Sequence, residues 1–124
     1  MLNESLGWTS IVLGLTAGAW LGTGYDKADW LGGYGSFRRR LVRLGHIALI
    51  ALGFLNILFA QSAARIHLSD AQLSAASWML IVGCFSMPAC CFLYAWRPRF
   101  KALFGVPVIS LIGGSGLVAW GLFL

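Results

Sequence analysis

The chain has 124 residues, 59% of them hydrophobic and 10% charged, with a formal net charge of +5 and a mean hydropathy of +0.80. A soluble domain carries about 25% charged residues, and one this small has too little interior to hide so much apolar surface, so lipid must solvate much of it and a soluble enzyme is excluded. Nucleic acid is not the expected partner either, because the cations fall in two short blocks beside apolar segments, as juxtamembrane anchors do.

The first apolar run, residues 6–24, reads as a membrane span. Asn3 fits a helix N-cap, and Glu4 suits the positive end of the helix dipole. A signal peptide is the competing reading, since small residues follow an apolar stretch at Thr16 to Ala19. Against it, no Lys or Arg precedes the run. Gly14, Gly18 and Gly22 recur every fourth residue and leave a groove for a neighbouring helix backbone. They are expected to serve packing inside the bundle, with an oligomer or partner-subunit interface as the alternative.

The connection from Tyr25 to Phe37 mixes turn glycines with aromatics suited to headgroup depth, Tyr25, Trp30, Tyr34 and Phe37. Its glycines match neither the dinucleotide fingerprint nor the Walker motif, and no strand precedes them. The second span is predicted over 41–60, with Arg38, Arg39, Arg40 and Arg43 crowding its start and Arg65 alone after its end. Ser69 and Gln72 then form a capping box, with Leu68 and Leu73 as its hydrophobic staple. The third helix is therefore predicted to begin near Asp70, with its span over 74–95 and a bend at Pro88. Arg97 and Pro98 stop it.

The last span, 104–124, contains Pro107, which suits either a first turn or a kink in a longer helix. Ser110, Gly113 and Gly114 make a second small-residue face, expected to meet the glycines of the first helix.

Of the nine Lys and Arg, only Arg65 falls in the second connection. Lys27 and the four arginines flank the first, and Arg97, Arg99 and Lys101 occupy the third. This asymmetry predicts that the first and third connections face the cytoplasm and that both termini face outward, and it argues against dual topology. The expected fold is thus all-α, a single integral-membrane four-helix bundle over residues 1–124, with the bacterial inner membrane as its location. Anionic headgroups are the expected contacts of Arg38, Arg39, Arg40, Arg43, Arg97, Arg99 and Lys101, with docking to a partner subunit as the alternative.

Past the arginines at its start, the second span holds one ionisable side chain, His46. It suits an interfacial hydrogen bond to a helix or headgroup, a proton or quinone contact, or axial ligation of haem or chlorophyll beside small Gly45. The other histidine, His67, lies roughly 30 Å away by helix rise, so the two cannot share one iron. Arg39, Arg43 and His46 are predicted to share a helix face. Asn56, deep in the second span, is expected to bond to a neighbouring helix. Cys84, Cys90 and Cys91 lack the pairing or the nearby histidine that a metal or exchange site needs, and read as buried apolar thiols.

A transporter needs a polar path, usually marked by intramembrane charge; the middles of these spans contain none. A membrane enzyme needs convergent acids, bases or ligands. An accessory subunit of a larger complex, respiratory or photosynthetic in type, needs only spans, close-packing faces and charged tips, all of which are present. It is the preferred expectation, ahead of a pigment- or haem-ligating electron-transfer subunit and of a small transporter. Other membrane subunits or further copies of the chain are its expected partners.

Overall fold

A computed structural model describes all 124 residues. The chain is helical without strands: α1 spans Leu2–Gly22, α2 Phe37–Ser62, α3 Asp70–Trp96 and α4 Gly105–Phe123, with 3-10 turns at Trp30–Gly32, Ala63–Arg65 and Pro98–Phe104. Three helices, α2, α3 and α4 with their adjoining turns, are long and apolar enough to cross a membrane.

Local chemistry sets the boundaries. Met1, not Asn3, is the N-cap of α1; the Asn3 side chain turns into the interior and is fully buried. The α2 helix begins at Phe37, ahead of the expected span, because the Ser36 hydroxyl accepts the Arg39 backbone N–H at 3.1 Å. The four arginines are therefore helical residues of its first turns. In α3 the capping box at Ser69 and Gln72 is present, and Leu68 and Leu73 each pack against the cluster of Phe59, Ile66, Ala76 and Leu80. The helix continues through Pro88, which is buried; proline has no N–H, so the carbonyl four residues back goes without that bond. Pro107 lies in the first turn of α4, which follows directly on the 3-10 turn at Pro98–Phe104.

Each helix packs antiparallel on the next in sequence, α1 on α2, α2 on α3 and α3 on α4. Of the apolar windows, 44% of that in α3 is buried, against 28% in α2 and 11% in α4, so α3 is central and α4 is a flank. The small face of α4 meets α3, not α1: a methyl added at Gly114 would lie 3.1 Å from Leu80, and one at Gly113 would strike Met79. Ser110 is half-buried on the same helix. The stack is consequently open, with α1 and α4 on opposite flanks of the α2–α3 pair.

Apolar side chains fill its two ends. Leu21, Leu41, Val42 and Ala95 cluster at one, and Phe59, Ile66, Ala76 and Leu80 at the other. Between them the helices approach backbone to backbone. A methyl at Gly7 would lie 2.6 Å from the Gly53 carbonyl oxygen, and one at Gly53 2.7 Å from that of Gly7. Such distances leave no room for any Cβ. Both termini lie at the Phe59 end, where Asn3 meets Ser77 and the His67 N–H donates to the Gly121 carbonyl at 2.9 Å.

Candidate functional site

Polar chemistry gathers in two places. The first is a knot at the junction of α1, α2 and α3. Asn3 Nδ2 donates to Asn56 Oδ1 at 2.8 Å and to the Ser77 carbonyl at 3.2 Å, while its Oδ1 accepts the Ser77 hydroxyl. Asn56 Nδ2 donates to the Leu52 carbonyl at 3.0 Å and to the Leu80 carbonyl at 3.2 Å. One layer deeper, Ser10 Oγ donates to the Leu49 carbonyl at 2.7 Å and accepts the Cys84 thiol at 3.4 Å. Both amides thus have donors and acceptors satisfied within the protein, which is what a buried amide requires.

The knot explains Asn56, which bonds to both neighbouring helices. It also contains residues that sequence reasoning missed, Asn3, Ser10 and Ser77. A signal for them existed: Asn3, Gly7, Ser10, Gly14, Ala17 and Leu21 alternate by four and three residues, one face of a helix, and the step-four rule caught only part of that face. Gly14 and Gly18 do pack on α2. Gly22, placed with them by spacing, meets nothing within 4 Å, because it faces outward where its neighbour Leu21 is buried against Leu41 and Val42.

The second place is the opposite, basic end. Arg39, grouped by sequence with the surface cations, is 5% exposed and cannot dock to a headgroup. Its guanidinium donates to the carbonyls of Lys27 and Tyr25 and lies 4.4 Å from the ring centroid of Tyr34, 5.2 Å from Tyr25 and 5.3 Å from Trp30. The first connection is wrapped around this one cation. Leu31, Gly32 and Gly33 all take positive φ to make the turn, and a methyl at Gly24 would strike the Trp30 ring. The glycines serve this wrapping. Arg38 instead donates Nε to the Ala95 carbonyl at 2.9 Å, occupying one of the free carbonyls that end α3. Arg40, Arg43, Arg97, Arg99 and Lys101 are exposed.

The face predicted to hold Arg39, Arg43 and His46 together is therefore divided. Arg39 is buried under the loop, Arg43 is exposed, and His46 is half-buried between α1 and α2. A methyl at Gly18 would lie 3.0 Å from His46 Cδ2 and 3.3 Å from Nε2, and Nδ1 is buried without a partner. The imidazole thus lies edge-on against the α1 backbone at Gly18. Gly45 makes its room for Phe92 of α3.

No group of three or more His, Cys, Asp and Glu is placed to hold a metal ion. Cys84, Cys90 and Cys91 are free and buried. Two apolar grooves open on the surface. One, of about 230 Å³, separates α2 from α4 near the termini and includes Leu58, Ser62, Ser115 and Leu122. The other, of about 150 Å³, lies at the basic end among α1, α2 and α3. The chain matches no family model, no curated protein and no solved structure.

Proposed function

We propose that the chain is a four-span protein of the bacterial inner membrane, with both termini on the outer face, acting as an accessory and structural subunit of a larger membrane complex of respiratory or photosynthetic type. It performs no catalysis of its own, and its partners are other membrane subunits or further copies. The observation that carries this reading is the pairing of polar groups at the helix junction: Asn3, Ser10, Asn56, Ser77 and Cys84 bond to one another and to helix carbonyls. That pattern joins helices and provides neither a polar path nor converging acid and base.

Two further features support the membrane placement. Five tryptophans are exposed, Trp8, Trp78 and Trp120 towards the termini and Trp20 and Trp96 towards the basic end. Trp78 and Trp96 on α3 are separated by about 27 Å of helix rise, close to the roughly 30 Å of a hydrocarbon core, as two interfacial belts require. The α1 helix, with 21 residues, is about as long as the layer is thick, and its packing against α2 supports counting it as a fourth span. Native mass measurement after mild-detergent extraction tests the assignment. Co-extraction of a stoichiometric membrane partner or a defined oligomer is expected, and a lone monomer across detergents would refute it.

A further inference from the structure

The groove at the basic end is lined by Ala17, Trp20, Leu21, Val42, Phe92 and Trp96, every one apolar. Trp20 and Trp96 are 68% and 66% exposed, so the groove meets the surface between two indoles. Arg38 stands at its mouth: it lies one helical turn before Val42, and its Nε is fixed to the carbonyl of Ala95, the neighbour of Trp96. With that bond made, the two terminal nitrogens of the guanidinium have no protein partner. The acids of this end, Asp26 and Asp29, do not bond to it.

We propose that this groove and Arg38 form a site for one anionic phospholipid, an acyl chain lying in the groove and the phosphate on the free fork of Arg38. The proposal rests on the preceding reading in one respect, that the basic end sits at the inner headgroup layer. A planar guanidinium held at Nε presents its remaining donors as a pair that matches two phosphate oxygens. Indoles at headgroup depth bracket the glycerol region. Besides Arg38, six exposed cations lie at the same end, Lys27, Arg40, Arg43, Arg97, Arg99 and Lys101, which favours an anionic over a zwitterionic headgroup. A slot of about 150 Å³ lined only by apolar side chains admits part of one acyl chain.

The full chain, extracted in mild detergent and supplied with equal phosphatidylglycerol and phosphatidylcholine, would be weighed by native mass spectrometry. One phosphatidylglycerol per chain is expected. Arg38→Gln and the groove-filling Ala17→Phe should each lower its retention by about tenfold, with melting temperature as the check on folding. Neutralising Arg99 and Lys101 should change retention little. Equal retention of the two lipids overturns the site, as does Ala17→Phe without effect, which means headgroup contact alone. A dimer that Ala17→Phe abolishes would assign the groove to a second copy and also overturn it. Orientation is read separately from Ala28→Cys, on the exposed first connection, with an impermeant thiol reagent. Labelling from the inside without lipid preference sinks the lipid site alone, and labelling from the outside sinks the topology.

Discussion

Arg39 carries a full charge in a place where no carboxylate meets it, and survives there because two carbonyls and three ring faces replace its water. Its geometry depends on a flat, forked cation. Lysine has one compact ammonium and cannot lie against Tyr34 while reaching both carbonyls. Arg39→Lys is therefore expected to lower stability by about 2 kcal/mol, the scale of a charged hydrogen bond and a desolvated cation–π contact, and to expose the first connection to protease. A variant as stable and as protease-resistant as the parent would contradict this account. The amide pair in the knot makes a prediction of another kind. Asn56→Leu and Asn3→Leu should each cost about 1–2 kcal/mol in detergent unfolding, near the upper range for polar contacts between membrane helices. The double variant should cost clearly less than the sum, since the second change removes a group the first had already left unpaired. Additive losses would mean that the two side chains act separately.

At the scale of the helix, α1 and α2 are held by the absence of side chains. Gly7 and Gly53 put each backbone against the other's carbonyl, and Gly14 admits Ile50 and the His46 carbonyl. Gly53→Ala must push the helices apart, and a cost of about 1–3 kcal/mol is expected from such overpacking. Gly22→Ala, on the same helix but with nothing within 4 Å, should be neutral or slightly stabilising, because alanine is the better helix former. Equal effects from the two would show that helix propensity, not interhelical approach, governs the glycines. The comparison also shows why spacing misled: a step of four drifts around a helix of 3.6 residues per turn, whereas the alternating four and three of Asn3, Gly7, Ser10 and Gly14 stays on one face.

For the whole molecule, the open stack leaves α1 and α4 each with one face against the bundle and the rest outward, Ile109 and Ile112 at 70% exposed among them. Lipid or partner helices must cover that surface. Reporter fusions at Met1 and Leu124 are expected to be active only when the reporter works outside the inner membrane, and activity of either in the cytoplasm would contradict the proposed orientation. Helix number, the capping box at Ser69, the stop at Arg97 and Pro98 and the gathering of cations at one end were legible in the residues, because hydrophobic length, capping chemistry and charge act over a few neighbouring positions. The partners of each small face were not: Ser110, Gly113 and Gly114 are as suited to α1 as to α3, and only the assembled stack places the two glycines against Met79 and Leu80 of α3. The same holds for Arg39 and Arg40, adjacent and chemically identical, of which one is enclosed by aromatic rings and the other exposed. Asn3 is a further case, since a polar residue at a helix start satisfies a cap as readily as it satisfies Asn56. The chain alone thus determined which segments avoid water and which end of the molecule is positive. The tertiary structure decided which polar groups meet, because hydrogen bonds and backbone contacts between residues as distant in sequence as Asn3 and Ser77 depend on the crossing of helices, and no local pattern encodes that crossing.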